Sequence, residues 1–322
     1  MSVTDDRRDR RRFTSTVLGP RSAPEPTPLG HGVVRGVVVD ASSGVLCLAV
    51  PGGEERLAYD HTTSFWRGGE VGPGGLRTGD DAVVLGAPGG RPAAERVWAQ
   101  AARATGVIVD RGTDTLEIDP GHGRPRLTVV IPRRSSGRIS VRHPRLEPGY
   151  VFDAVGVWSE GAVWASRPAT AQPPHPLAAT PHRPPAHRYA STLRGTATWY
   201  DPAWGRSPHL DPGARVDGVA YPALDPVGHD AACDRRAPCV PLPLLSVGAA
   251  VSLRNDCTRE AAVLPVLDCA AADSWLCDLC PACGGRGAGR IASLTMNGFV
   301  ALGGRLEDGC FDATVTVHDG EG

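Results

Sequence analysis

Gly195-Thr196-Ala197-Thr198-Trp199-Tyr200 opens the stretch that decides the fold, which runs on to Val317. Leu242-Pro243-Leu244 leads into LSVGAAVSLRN (Leu245 to Asn255), then Val263-Leu264-Pro265-Val266-Leu267-Asp268-Cys269, then Arg290-Ile291-Ala292-Ser293-Leu294-Thr295. A short helical pattern ends at Leu302-Gly303-Gly304, and Ala313 to Val317 reads as a last strand. Each piece is a short apolar or alternating run bounded by Gly, Pro, Asn or Asp, which is strand punctuation. Alternation sets Thr196, Thr198 and Tyr200 on one face of the first strand.

Eight of the nine cysteines fall late in the chain: Cys233, Cys239, Cys257, Cys269, Cys277, Cys280, Cys283 and Cys310. An even set in a small loop-rich unit suggests a disulfide framework and an oxidising environment, with connectivity unreadable from sequence. The competing reading is zinc at Cys277, Cys280 and Cys283, because Cys277-x-x-Cys280-x-x-Cys283-Gly284-Gly285 resembles a knuckle. Zinc needs four thiolate or imidazole ligands, and no second spaced pair is present, so the expectation is no cofactor and no metal.

In this order the pieces resemble the double-psi β-barrel of the rare-lipoprotein-A and expansin/barwin relatives, for the C-terminal domain only. Those proteins carry an A-(S/T)-W-Y strand, an L-P-x-G-x-x-V-x-V-x-N strand, a V-x-D strand and an I-D-L-S helix start. The resemblance implies contact with cell-wall glycan through Thr198, Tyr200, Asp201, Asp268 and Ser293. Asp268 matches the aspartate of V-x-D and is the candidate catalytic carboxyl. The I-D-L-S aspartate falls on Ser293, and serine cannot replace a carboxylic acid as proton donor to a glycosidic oxygen. Asp273 and Asp278 lie in a cysteine-rich insertion and are further candidates for the missing acid. If active, the resemblance implies a peptidoglycan lytic transglycosylase. It also favours disulfides over zinc, since expansin-like barrels often carry C-P-x-C after the strand aspartate.

Upstream lies an internal repeat. Gly36-Val37-Val38-Val39-Asp40 returns as Gly106-Val107-Ile108-Val109-Asp110, an offset of 106 − 36 = 70. Leu46, Arg56-Leu57, Leu76, Gly79 and Gly86 meet Leu116, Arg126-Leu127, Leu146, Gly149 and Gly156. A deletion of four then aligns Val97-Trp98-Ala99 with Val163-Trp164-Ala165. Short strands and turns in each unit predict a small closed barrel of the OB type, an SH3-like barrel being the alternative. Trp98 and Trp164 are expected as core plugs. The second unit has a basic run from Arg124 to Arg145, but its aromatics fall late, so a solvated face is expected and no nucleic-acid partner.

The predicted architecture is mainly β: two tandem small OB-like β-barrels followed by a double-psi β-barrel. Its parts are an extended N-terminal arm (1–30), OB-like repeats (31–101 and 102–167), a Pro-rich linker (168–192) and the last barrel (193–322), with the linker making them independent modules. Forty glycines and thirty prolines fit many turns and few long helices. The net charge of −1 gives no global pull toward nucleic acid or membrane. There is no membrane span, and the polar start Asp5-Asp6-Arg7-Arg8 is followed by no recognisable signal peptide.

Two functions follow. One is a structural and binding component of an extracellular particle, a phage-like tail tip or baseplate of the minor tail protein type. Its arm would dock other structural proteins of the assembly, and its last barrel would touch bacterial peptidoglycan. The other is a secreted peptidoglycan-cleaving or expansin-like wall-loosening protein. The expected localisation is extracellular or virion-associated.

Overall fold

The computed structural model describes residues 32–87, 92–121, 124–179, 192–201, 217–224, 240–270, 280 and 289–317. The N-terminal arm lies outside the described residues. The first unit contains β1 (Val33–Ser42), β2 (Val45–Val50), β3 (Gly53–Ala58), β4 (Ser64–Trp66), β5 (Glu70–Val71), β6 (Asp81–Gly86) and β7 (Ala94–Ala99). They form one sheet in the order β3-β2-β1-β6-β7-β4-β5. The sheet curls until Ala58 meets Ala93 in a parallel bridge, with the Ala58 N–H donating to the Pro92 carbonyl at 2.7 Å. An Asp60 turn separates β3 from β4. There Asp60 Oδ1 accepts from the Thr62 N–H (2.8 Å) and hydroxyl (2.6 Å), so the backbone leaves the ladder.

The second unit is a closed barrel of β8 (Ala101–Arg111), β9 (Thr115–Asp119), β10 (Leu127–Val130), β11 (Val151–Ser159) and β12 (Ala162–Pro168). Helix α1 (Arg133–Arg142) joins β10 to β11, and β10 pairs parallel with β12. Taken in order within the unit, the strands close as 1-2-3-5-4-1 with a helix after the third, which is the OB arrangement.

The repeat is visible at the level of single hydrogen bonds. The β1/β2 ladder shifts register between Val38 and Asp40, and the β8/β9 ladder shifts between Ile108 and Asp110. Val38 receives the Gly79 N–H and donates to Asp80 O, both at 2.8 Å. Seventy residues on, Ile108 receives Gly149 N–H at 2.8 Å and donates to Tyr150 O at 2.9 Å. Gly79 and Gly149 sit at φ 92° and 91°, a left-handed turn that a side chain would strain.

The third unit is a closed six-stranded barrel of β13 (Thr192–Tyr200), β14 (Val219–Tyr221), β15 (Ala250–Asn255), β16 (Ala261–Cys269), β17 (Arg290–Thr295) and β18 (Cys310–Val317). The ring runs β13-β17-β14-β16-β15-β18 and closes through the β13/β18 ladder. Advancing every strand by three places maps this ring onto itself, and it exchanges the two parallel pairs, β13/β17 and β14/β16. That internal two-fold is the crossed connectivity of a double-psi barrel. Helix α2 (Met296–Ala301) follows β17 and starts at Thr295, whose hydroxyl accepts the Gly298 N–H.

The three barrels are not independent modules. Trp66, Val83 and Trp98 from the first unit, Val155 from the second and Ala169 from the start of the Pro-rich segment join the core of the third. Val97 and Ala99 fill the first barrel while Trp98 points the other way, so Trp98 plugs an interface, not its own core. Its indole N–H donates to Glu307. Trp164 is only half-buried. The start of the Pro-rich segment is packed as well, with Ala169 and Thr170 fully buried. Residues 180–191 lie outside the described part.

Arginine–carboxylate pairs hold these seams. All 34 basic residues are arginine, whose planar fork suits bidentate, partly buried pairing better than an ammonium does. Between the second and third barrels, Asp153 is fully buried and accepts from Arg103 Nε and Nη2, each at 2.8 Å, and from Arg290. Arg103 Nη1 also donates to the carbonyls of Trp199 (3.0 Å) and Gly309 (2.8 Å). Burial alone would push the Asp153 carboxyl up, but the two guanidinium groups hold it far below the usual range.

Of the expected disulfides, Cys280–Cys310 is present with a Cα–Cα separation of 5.7 Å, and Cys257 and Cys269 are also disulfide-bonded. Cys233, Cys239, Cys277 and Cys283 lie outside the described residues. Cys280 spends its sulfur on Cys310, so it is no thiolate ligand for the zinc alternative with Cys277 and Cys283. Cys47 is a free, buried thiol in the first barrel.

Candidate functional site

The predicted glycan residues converge on one side of the third barrel. Thr198 stands opposite Ser293, Ser293 opposite Ala220, and Ala220 opposite Asp268, a lateral row across β13, β17, β14 and β16. Thr198 and Ser293 hydroxyls share a buried hydrogen bond of 3.0 Å. Thr196 and Thr198 are fully buried, and Ser293 and Asp268 nearly so. The resemblance implies an open groove here, but these side chains are buried, and Arg124 of the second unit reaches Asp268.

Asp268 is tied down on both oxygens. Oδ1 accepts the Cys269 N–H at 2.7 Å and Oδ2 accepts Arg124 Nη2 at 2.7 Å. Arg124 belongs to the segment just before β10, so the candidate catalytic carboxylate is part of an interface with the second barrel. Both Asp268 oxygens are thus engaged as acceptors within the fold. Asp201, at the end of β13, is likewise held by the first barrel: Arg35 Nη1 and Nη2 reach its two oxygens at 3.1 and 2.8 Å. Arg35 divides its fork between Asp201 and Asp81, meeting the latter at 2.6 Å. Asp273 and Asp278 lie outside the described residues.

Asp268→Asn should therefore weaken the seam between the second and third barrels. The amide keeps an acceptor but loses the charge, and Arg124 is partly solvated, so the expected cost is about 1–2 kcal/mol. A chemical-denaturation midpoint unchanged from the parent would show that the Arg124 pair does not hold the barrels together.

One carboxyl that sequence reading passed over stands where these strands end. Asp217 is half-buried just before β14, and the Thr295 hydroxyl donates to its Oδ1 at 3.4 Å. Thr295 N–H donates to the Gly218 carbonyl at 3.0 Å, and Thr295 is in register with Tyr200. Burial pushes the Asp217 carboxyl up, and the Thr295 hydrogen bond only partly offsets this. Asp217, Thr295 and half-buried Tyr200 thus share one end of the barrel, with Asp201 one residue beyond. The Asp217-Gly218 turn ahead of Val219-Ala220-Tyr221 was its only local signal. Asp312, opposite Thr196 on β18, is also raised, by burial and by Asp256. Among the described residues no group of three or more His, Cys, Asp or Glu side chains is arranged to hold a metal ion. Also among them, no helix is long and apolar enough to cross a membrane.

No family model matches the chain. No curated protein matches it either. A solved structure described as "drosophila Unr CSD456" aligns over 60% of this chain and 78% of its own at 17% identity. Its TM-score is 0.17, so nothing is inferred from it.

Proposed function

We propose that this protein is a structural and binding component of an extracellular particle, of the phage tail-tip or baseplate kind, whose third barrel contacts bacterial cell-wall glycan without cutting it. One observation carries this reading. Both carboxylates at the resemblance-predicted groove, Asp201 and Asp268, are used as interface ion pairs with the neighbouring barrels. The position of the expected acid is Ser293, bonded to Thr198. What remains is a fused three-barrel body, suited to bearing load and presenting a surface. The N-terminal arm would join it to other proteins of the assembly, and the site of action would be extracellular or on the virion.

The enzymatic reading retains one supporting observation: Asp217 is a carboxyl raised by burial beside Tyr200 and Thr295. Incubating the full oxidised chain with peptidoglycan sacculi separates the two. The expected result is pelleting with the sacculi and no release of soluble muropeptides. Release that disappears in Asp217→Asn would make the protein a lytic enzyme with Asp217 as its acid. Neither pelleting nor release would remove the cell-wall assignment.

A further inference from the structure

We propose that helix α1 of the second barrel is a binding face for a phosphodiester-linked anionic polymer of the bacterial wall; its assignment to the wall rests on the function proposed above, the phosphate preference does not. Arg133, Arg134, Arg138 and Arg142 are all exposed on this ten-residue helix. From Arg124 to Arg145 the chain contains no Asp or Glu. None of the four has an ion-pair partner among the described residues. The arginines at the barrel seams behave differently: Arg35, Arg96, Arg103, Arg124 and Arg290 each end on a carboxylate.

Fold stability does not account for this pattern. Arg134, Arg138 and Arg142 repeat every fourth residue, which stacks three like charges in one stripe about 6 Å apart along the axis. Like charges at that spacing repel. Arg133 and Arg134 also occupy the first turn, where the helix dipole is positive and acidic residues are favoured, and no acidic residue is there. Buried Ser135 and Ile139 anchor the adjoining face of the helix, while all four arginines stay exposed. Beside them Val141 is 78% exposed. An extended polymer with a charged group at each short repeat would neutralise the stripe one arginine at a time. Arginine's fork matches the two free oxygens of a phosphodiester.

A single-stranded nucleic acid fits less well, because its bases need aromatic platforms and α1 has none. Of the barrel's late aromatics, Phe152 is fully buried, and Tyr150, Trp158 and Trp164 are only partly exposed.

The test is a fluorescence-anisotropy titration of the full chain with labelled long-chain inorganic polyphosphate, an aromatic-free phosphate polymer. With about four phosphates neutralised, affinity should fall roughly fiftyfold between 50 and 200 mM salt. Arg134→Gln/Arg138→Gln/Arg142→Gln should lose at least about tenfold at the lower salt, while the same three changed to Lys should keep most of the binding. Unaltered binding by the Gln variant overturns the proposal. So does tighter binding of poly-glutamate or single-stranded DNA than of polyphosphate. Sacculi with and without their phosphate polymers, stripped by hydrofluoric acid, complete the experiment. Weaker pelleting on stripped sacculi, in the parent only, supports the wall assignment. Polyphosphate binding with no pelleting on either preparation supports the phosphate face and overturns its partner. Equal pelleting on both leaves the glycan reading standing and overturns the wall assignment of α1.

Discussion

Asp153→Ala is expected to cost about 3–5 kcal/mol, the range seen when one member of a buried ion pair is removed. The side chain is fully buried and receives Arg103, Arg290, Thr105 at 2.8 Å and Thr170 at 2.6 Å. Deleting it removes the carboxylate that Arg103 and Arg290 share in a buried region. Arg290 is itself 1% exposed and has no route to solvent. The effect spreads beyond the second barrel, because Arg103 also carries the Trp199 and Gly309 carbonyls of the third. Asp153→Asn should fall between parent and alanine variant, retaining acceptors for Thr170 and one arginine but not the charge. Guanidinium denaturation followed by tryptophan fluorescence reads this directly, since Trp98 and Trp199 are buried at or near the seams. A midpoint shift equivalent to less than about 1 kcal/mol would mean that the network is specified for geometry rather than stability.

Much of the fold was legible because its signals are local. The offset of 70 residues could be read from Gly36 to Asp40 and Gly106 to Asp110, since a strand with a fixed bulge needs the same small residues at the same places. The row of Thr198, Ser293 and Asp268 was legible too, as positions in short alternating strands. Their environment was not. The partner of Asp268 lies 144 residues away at Arg124, that of Asp201 lies 166 away at Arg35, and Arg290 reaches Asp153 across 137. No periodicity within a strand encodes such distances. The same limit explains Trp98. Alternation says that Val97 and Trp98 face opposite ways, but the far side of the strand is a core only because another barrel packs there. The ion pairs that engage Asp201 and Asp268 belong to the seams of the fused body, which only the tertiary arrangement reveals.

His143 is the group through which that arrangement should answer to pH. It lies at the end of α1, 1% exposed, with Nε2 accepting the Asp153 N–H at 3.1 Å and its ring centroid 5.0 Å from that of Phe152. Nδ1 has no partner. Burial lowers its pKa to about 4; Asp153 raises it in part, and Arg290 lowers it further. An unfolded histidine titrates near 6.5, so between about pH 6.5 and 4 the unfolded chain binds a proton that the folded one refuses. Stability must then fall as pH falls through that window, by roughly 3 kcal/mol in total at ~1.4 kcal/mol per unit. Below about pH 4 the folded imidazole also takes up its proton, and this contribution stops growing. Asp153 acts lower. Its carboxyl is depressed in the fold, so its stabilisation is complete above the ordinary carboxylate range and is lost only as acid begins to protonate the unfolded chain. His143→Gln offers an uncharged acceptor in place of Nε2, and it should flatten the pH 6.5 to 4 segment of the stability profile while leaving the steeper fall below it. A slope that survives the substitution would place the titration elsewhere. A slope that vanishes ties acid sensitivity to the seam where Asp153 joins the second barrel to the third.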